Sequence, residues 1–193
     1  MVIGITGGVG AGKSRILDIL KEEFGAQVIQ ADLVAKELEE PGQPGYQKLV
    51  ETFGRGILSE DGTIDRAAFA SLIFSDEAAL EQVNDIIHPM TWQAVKERVA
   101  KSHADLVVVE AALFDEKSRE VCGELWFVDT DEENRILRLL ANRGYSREKS
   151  LSIMEKQPSR ETFLALADRV IDNNGTVEDV QSQIGQILKR QEN

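Results

Sequence analysis

The pattern of hydrophobic and polar residues along the chain switches between short apolar runs and longer stretches with helical spacing. Five short, mostly apolar runs predict β-strands: residues 2–6, 26–31, 105–110, 124–129 and 169–172. Apolar residues recur at helical spacing directly after the first strand, over residues 15–24, and again near the end of the chain, over residues 177–190. This alternation of strands and helices predicts an α/β fold with a parallel sheet flanked by helices.

One long stretch, residues 33–101, contains no strand signal and predicts a helical insertion after the second strand. Its apolar residues recur at helical spacing in four segments: residues 46–53, 66–74, 78–87 and 91–99. The Pro- and Gly-rich residues 40–45 should break the first helix, and Asp61-Gly62 should form a turn. His88-Pro89 should separate two helices, because proline disfavours helical backbone at the preceding residue.

The segment between the first strand and the first helix carries the most specific chemical signal in the sequence. Residues 7–14 match the phosphate-binding pattern G-x-x-x-x-G-K-[ST]. Its glycines let backbone N–H groups turn toward phosphate oxygens, Lys13 reaches the β- and γ-phosphates, and the Ser14 hydroxyl can ligate Mg²⁺. A chance glycine-rich turn is the alternative, but the flanking strand and helix favour a nucleoside triphosphate site. The predicted nucleotide contacts are Gly8, Val9, Gly10, Ala11, Gly12, Lys13, Ser14 and Arg15.

Asp32 is the first choice for a catalytic base. It follows the second strand, and the carboxyl ends of strands in an open parallel sheet border the ligand crevice. Its carboxylate would orient an acceptor hydroxyl and take its proton during phosphoryl transfer. The alternative is a helix N-cap, which aspartate fills well, and the two roles are compatible.

Two predicted helices, residues 132–142 and 147–156, are joined by Gly144-Tyr145 and would form a hinged lid. This lid is expected to supply positive charge to the transferred phosphoryl group. Arg135 and Arg138 lie three residues apart on one helical face, so both can swing toward the nucleotide when the lid closes. Arg138 is the predicted catalytic arginine, and a solvated helix face is the alternative for any one of these residues.

Other charged or polar side chains have weaker assignments. Arg143 is a lesser candidate for a phosphate contact. Glu110 and Asp129, at strand ends, would hold a metal-bound water or cap the following loop, and the role near the metal is preferred for Glu110. His88 is interpreted as a hydrogen-bonding residue at a helix end that can also line the pocket.

Composition narrows the class of function. The chain has 22 Lys and Arg against 34 Asp and Glu, a net charge of −12, which argues against a nucleic-acid partner. Cys122 is the only cysteine, so an intrachain disulfide and a cysteine-based zinc site are excluded. No signal-peptide pattern and no apolar run of membrane-spanning length are present, which predicts a cytoplasmic protein without a membrane partner. The sequence does not predict an oligomeric state.

Several motifs in a fixed order make the assignment more specific than the phosphate loop alone. They are residues 4–14, 31–35, 40–44, 53–54, 61–66, 73–74, 87–89 and 167–175. With these motifs the chain resembles the dephospho-coenzyme A kinase family over nearly its whole length. The resemblance implies transfer of the γ-phosphoryl group of ATP, with Mg²⁺, to the ribose 3′-hydroxyl of dephospho-coenzyme A. It also implies that Asp32 lies on the acceptor side and that Arg66 and His88 contribute to substrate binding.

The predicted organisation is one kinase domain with three regions. These are a core of residues 1–32, 102–130 and 167–193, a helical acceptor-binding insertion of residues 33–101, and a lid of residues 131–166. The chain departs from the family at residues 111–115, which lack a frequent proline, and at Arg135, where the family has glutamine. Asn142 replaces a second arginine, with Arg143 one residue later, so the identity of the phosphate-binding arginine stays open.

Three rivals remain. The first is a kinase of the same fold for a nucleoside, a nucleoside monophosphate or gluconate, and the insertion motifs disfavour it. The second is a non-catalytic nucleotide switch, disfavoured because Lys13, Ser14, Asp32 and a basic lid occur together. The third is a nucleic-acid-stimulated NTPase, which the acidic balance disfavours.

Overall fold

A parallel five-stranded sheet organises the fold in a computed structural model, which describes residues 1–189 except for the side chains of Phe74 and Lys117. The strands are β1 (Val2–Thr6), β2 (Gln27–Gln30), β3 (Val107–Glu110), β4 (Glu124–Asp129) and β5 (Arg169–Asp172). Their order across the sheet is β2-β3-β1-β4-β5, and β1 pairs in parallel with both β3 and β4, while β4 pairs in parallel with β5. The predicted parallel sheet flanked by helices is confirmed.

Helices make up most of the remaining chain. They are α1 (Lys13–Phe24), α2 (Ala31–Leu38), α3 (Pro44–Phe53), α4 (Arg66–Ser75), α5 (Glu77–Lys101), α6 (Glu116–Arg119), α7 (Glu132–Arg143), α8 (Arg147–Glu155), α9 (Arg160–Leu166) and α10 (Val177–Lys189). A single 3₁₀ turn, Arg55–Ile57, follows α3 in the described part of the chain. The predicted last residue of the final helix, Arg190, lies outside the described residues.

The prediction that His88-Pro89 separates two helices is wrong, because α5 runs through both residues for 25 residues in all. Proline lacks the N–H for one helical bond and usually kinks a helix. Tertiary packing outweighs that cost here, since Val83, Ile87, Trp92 and Val95 are buried on both sides of the proline.

The core of the sheet-containing part lies between the sheet and the helices α1 and α10. Alternate residues of the strands, among them Ile3, Ile5, Trp126 and Val128, are fully buried against it. The helix α1 contributes apolar side chains on one face, and Gly25 ends it in a left-handed conformation with φ 65°. This packing fixes where β1 stops and α1 begins, and therefore where the glycine-rich turn lies.

The chain divides into two compact units. The first combines residues 1–28 with the chain from residue 102 onward and contains most of the sheet. The second, Ile29–Lys101, has a separate core in which Leu49, Ile57, Ile64 and Phe69 are buried. Across residues 1–189, no helix combines the length and the apolar character needed to cross a bilayer.

Candidate active site

The turn between β1 and α1 forms the phosphate loop, residues 7–14. Gly12 precedes α1 with φ 88° and ψ 24°, a left-handed conformation that glycine adopts without a steric penalty. A Cβ at this position would also lie 2.5 Å from Nδ2 of Asn173. Lys13 and Ser14 are the first residues of α1, and the N–H groups of a first turn have no acceptor within their own helix. The helix start is therefore a binding end for anions.

The Lys13 side chain lies across the loop. Its Nζ donates to the Gly7 carbonyl at 2.9 Å and lies 3.6 Å from Oε1 of Glu110 at the end of β3. The side chains of Lys13 and Glu110 are only 18% and 10% exposed, so each charge offsets part of the other's desolvation. Glu110 thus has a defined contact with the lysine of the loop, and the predicted reach of Lys13 to the phosphates stays a prediction.

Three side-chain donors converge on the carbonyl of Ala11, in the middle of the loop. Thr130 Oγ1 donates at 2.9 Å, Arg138 Nη1 at 2.9 Å and Asn173 Nδ2 at 2.7 Å. Arg138 also donates from Nη2 to the Asn173 carbonyl at 2.7 Å. Both terminal nitrogens of Arg138 thus bind backbone oxygens, and its predicted contact with phosphate stays a prediction.

The peptide groups around Val9 are held by the lid region. Arg135 Nε donates to the Val9 carbonyl at 2.8 Å, and the Val9 N–H donates to Oε1 of Gln157 at 2.8 Å. A Cβ on Gly8 would lie 2.4 Å from Nη2 of Arg135, so the guanidinium packs directly on the loop. Burial lowers the pKa of Arg135, and the nearby carboxylates of Glu132 and Asp129 oppose that effect.

Holding these carbonyls orients the donors of the loop. In a trans peptide the C=O of one residue and the N–H of the next point in opposite directions. Bonds from outside the loop to the carbonyls of Val9 and Ala11 therefore turn the N–H groups of Gly10 and Gly12 to the other side of the chain. The surrounding side chains therefore hold the conformation of the loop, which would lower the entropic cost of ordering it around a ligand.

A cavity of about 510 Å³ adjoins the loop at Gly8. Phe127 and Phe163 line it, with ring centroids 5.1 Å apart and planes within 6° of parallel. Arg160 also lines the cavity and donates to Asp129 through Nε at 3.0 Å and through Nη2 at 2.6 Å, which raises the pKa of the arginine. Asp129 forms this ion pair, and its predicted role at a metal-bound water or as a loop cap stays a prediction.

Asp32 belongs to the second unit, where it is the second residue of α2. The helix begins at Ala31 with Gln30 as its N-cap, so the alternative role of Asp32 as the capping residue is wrong. The carboxylate is exposed and lies in the first turn, where negative charge favours the helix dipole. Capping therefore does not account for an aspartate at this position.

The other predicted substrate residues of the second unit have protein partners. Arg66, the first residue of α4, forms an ion pair with Glu39 and lies 3.9 Å from Oε1 of Glu40. His88 lies within α5, not at a helix end, and its Nε2 accepts a hydrogen bond of 3.0 Å from Nε1 of Trp92. That bond fixes the proton of a neutral His88 ring on Nδ1.

The remaining candidates lie at helix ends or on exposed surfaces. Arg143, the last residue of α7, has its Cζ 6.0 Å from the ring centroid of Tyr145. Ser14 and Arg15 are exposed on the first turn of α1. Among residues 1–189, no group of three His, Cys, Asp or Glu side chains is arranged to hold a metal ion. The predicted magnesium contact of Ser14 stays a prediction.

Comparison with known proteins decides the family. The sequence model of the family described as dephospho-CoA kinase matches residues 1–179. The chain belongs to the dephospho-CoA kinase family. The protein named dephospho-CoA kinase from Carboxydothermus hydrogenoformans is 38% identical over 193 residues, which cover 98% of this chain and 93% of that protein. The predicted family membership is confirmed.

Two solved structures share the fold of this chain. The crystal structure of TT1252 from Thermus thermophilus has a TM-score of 0.83 and 28% identity, with 98% of this chain and 97% of the other covered. The structure of dephospho-CoA kinase from Campylobacter jejuni shares the fold, with a TM-score of 0.70, 20% identity, and 97% and 95% of the two chains covered.

Sequence reasoning missed four residues at this dephospho-CoA kinase site: Thr130, Gln157, Arg160 and Asn173. Thr130 and Asn173 directly follow β4 and β5, so their position at strand ends beside the loop was available as a signal. Gln157 lies between α8 and α9, and Arg160 is the first residue of α9. Neither residue belongs to a recognisable sequence motif. Only the tertiary contacts identify them.

Proposed function

We propose that this chain is an ATP-dependent dephospho-CoA kinase that transfers the γ-phosphoryl group to the ribose 3′-hydroxyl of dephospho-CoA, giving CoA and ADP. The observation that carries the proposal is the family match over residues 1–179. The pre-organised phosphate loop supports it independently, because phosphoryl transfer depends mainly on positioning and electrostatic stabilisation.

The phosphate side of the reaction is assigned to the first unit. Backbone N–H groups of the loop and of the first turn of α1 bind the phosphate oxygens, and Lys13 adds a positive charge that Glu110 keeps in place. As negative charge develops on the transferred group, the ammonium of Lys13 stabilises it more than it stabilises the ground state. Lys13 therefore acts on the rate as well as on binding.

Magnesium fits the chemistry of this loop. Mg²⁺ prefers hard oxygen ligands and keeps several waters, so one protein hydroxyl and phosphate oxygens are a sufficient set. Ser14, exposed at the start of α1, is the protein ligand we assign. When bound, the ion neutralises charge on the β- and γ-phosphates.

The acceptor side is assigned to the second unit. Asp32 accepts the hydrogen bond of the ribose 3′-hydroxyl and takes its proton as the new P–O bond forms. Arg66 and His88 bind dephospho-CoA, and the insertion of residues 33–101 provides the acceptor-binding region.

The lid, residues 131–166, supplies the remaining positive charge. Arg138 is assigned to stabilise the transferring phosphoryl group, and its bonds to the carbonyls of Ala11 and Asn173 keep the guanidinium beside the loop. Family membership implies ATP as the co-substrate. The metabolic role, the lone cysteine and the acidic composition together favour a cytoplasmic enzyme with no nucleic-acid or membrane partner.

One assay across acceptors tests the proposed function. ADP release is measured with dephospho-CoA, adenosine, a nucleoside monophosphate and gluconate at equal concentration. The proposal expects dephospho-CoA to exceed the others in kcat/KM by more than about 100-fold, the discrimination that several specific polar contacts provide. Equal turnover with gluconate or a nucleoside monophosphate would favour the kinase rivals of the same fold, and ATP binding without acceptor-dependent turnover would favour a switch.

A further inference from the structure

Gln157 stands in the connection between α8 and α9, outside any helix. Its own N–H donates to the Met154 carbonyl at 3.0 Å, which ties its backbone to the last turn of α8. Pro158 follows and restricts the backbone of the preceding residue. The origin of this side chain is therefore fixed on both sides, although the residue lies in a connection.

The amide oxygen of Gln157 accepts two hydrogen bonds. One comes from the N–H of Val9 at 2.8 Å, and the other from Nη2 of Arg135 at 3.1 Å. Arg135 in turn donates from Nε to the carbonyl of Val9 at 2.8 Å. Three residues thus form a closed ring of three hydrogen bonds, and a carbonyl oxygen with two lone pairs is the acceptor that such a ring requires.

The ring acts on a weakly restrained part of the phosphate loop. Val9 lies between Gly8 and Gly10, and Gly10 has φ 77°. Glycine on both sides gives the peptide groups of Val9 wide conformational freedom. Because both the N–H and the C=O of Val9 are bound, the ring fixes the direction of the following N–H, at Gly10, and holds the Arg135 guanidinium against Gly8.

We propose that Gln157 is a positioning residue of this enzyme: it sets the Val9 peptides and Arg135 in the arrangement that binds the phosphates of the nucleotide. The inference rests on the proposed function only in taking the ligand of the loop to be ATP or ADP. Gln157 itself touches the loop and the arginine, and acts on the nucleotide through them.

Two substitutions separate positioning from simple packing. Gln157→Leu keeps the approximate volume and removes the acceptor, whereas Gln157→Glu keeps an acceptor for both donors. We expect the leucine variant to bind ADP roughly tenfold more weakly by calorimetry, the scale expected for loss of a hydrogen bond to a charged group, while the glutamate variant stays within about threefold of the parent. The melting temperature and the KM for dephospho-CoA should change little in either.

A double-mutant cycle tests the ring itself. Because Arg135 and Gln157 act on the same peptides, combining Arg135→Ala with Gln157→Leu should weaken ADP binding little more than either change alone. Gln181→Leu is the matched control, since Gln181 is partly exposed on α10 and bonds to Glu23, away from the loop. Its ADP affinity should equal that of the parent.

Three outcomes would overturn the proposal: unchanged ADP affinity in Gln157→Leu, equal losses in the leucine and glutamate variants, or full additivity in the cycle. The test is independent of the acceptor. If the parent binds ADP but does not phosphorylate dephospho-CoA, the proposed function fails, and the ADP measurements still decide the role of Gln157.

Discussion

Individual side chains around the phosphate loop donate hydrogen bonds to its backbone oxygens. Arg135 and Arg138, which the sequence predicts as residues that swing toward the nucleotide, bind the carbonyls of Val9 and Ala11. The spacing of the two arginines correctly predicts that both face the same region. It cannot predict their partners, because helical periodicity defines a face and not the atoms that the face meets.

A substitution at Asp32 tests the assignment of the base. We expect Asp32→Asn to lower kcat by about 100-fold or more, the usual contribution of general base catalysis, while the KM for ATP changes less than about twofold. Steady-state kinetics with both substrates varied would measure this. Asp18→Asn, on the exposed face of α1, is the control and should keep parental kinetics. Full activity in the Asp32 variant would remove this residue from the mechanism.

A methyl group at Gly8 tests the packing of Arg135 on the loop. Gly8 is outside the group of glycines with positive φ, so alanine fits the backbone, but its Cβ would lie 2.4 Å from Nη2 and 2.7 Å from Cζ of Arg135. The guanidinium must leave its position and lose its bond to Val9. We expect the KM for ATP to rise roughly tenfold, as expected for one charged hydrogen bond.

The control for this change is Gly56→Ala, because a Cβ there would meet no atom within 4 Å. Adding Arg135→Ala to Gly8→Ala should have little further effect. If Gly8→Ala binds ATP like the parent, or if the two changes are fully additive, the guanidinium does not act through its place on the loop.

Elements with a strong local pattern were predictable, and those that depend on distant contacts were not. The five strands and the helices α1, α7 and α10 follow directly from apolar periodicity. The short helix α9 lacks such a periodic pattern. It is held in place by tertiary contacts, namely the stacking of Phe163 on Phe127 and the ion pair between Arg160 and Asp129. The continuity of α5 through Pro89 likewise depends on burial along its length.

The N-terminus of α4 is capped by a side chain whose contribution to stability can be measured. Asp65 is its N-cap, and Oδ1 accepts from the N–H groups of Ala67 and Ala68, each at 3.0 Å. Asp65→Ala should lower the free energy of unfolding by about 1 kcal/mol, whereas Asp65→Asn, which retains a capping oxygen, should lower it by less than half of that. Urea unfolding followed by circular dichroism would measure both. Equal losses in the two variants would contradict the capping role.

Burial of Cys122 within the folded chain controls the reactivity of this lone cysteine. Burial raises the pKa of the Cys122 thiol to about 12, although Arg119 opposes the shift. At pH 8 the native thiol should therefore react with iodoacetamide roughly 1,000-fold more slowly than the same thiol in urea, because the thiolate is the reactive form. Comparable rates in the two conditions would show that the thiol is accessible and ionised in the folded chain.

The same raised pKa fixes the sign of a pH effect. An unfolded thiol ionises above about pH 8.5, but the folded one stays protonated toward pH 12. Ionisation of the Cys122 thiol should therefore have no effect on the free energy of unfolding below about pH 8. Above that pH it should lower the free energy of unfolding progressively, because only the unfolded chain gains from losing the proton. The free energy of unfolding of Cys122→Ala and of the parent would be compared at pH 7 and at pH 10. The difference between the two proteins should be smaller at pH 10, because only the parent loses stability as the thiol ionises in its unfolded state.

The composition and the order of motifs define the molecule as a whole better than they define its site. The strands, the glycine turn and the family follow from the sequence, because each rests on motifs of neighbouring residues. The order of the strands across the sheet, β2-β3-β1-β4-β5, was not predicted, because it depends on pairing between segments far apart in the chain. The ring of Val9, Arg135 and Gln157 joins segments 126 and 22 residues apart, and the Asn173 bond to Ala11 spans 162 residues. Contacts of that range have no local signature in one sequence.

The position of the transferred phosphate tests the proposed reaction most directly. Parent enzyme, ATP, Mg²⁺ and dephospho-CoA are incubated, and the product is analysed by ³¹P NMR with proton coupling. Phosphoryl transfer to the 3′-hydroxyl should give a new phosphomonoester signal coupled to the ribose H3′, in amounts equal to the ADP formed. A phosphate on another hydroxyl, or ADP and inorganic phosphate without a new ester, would contradict it.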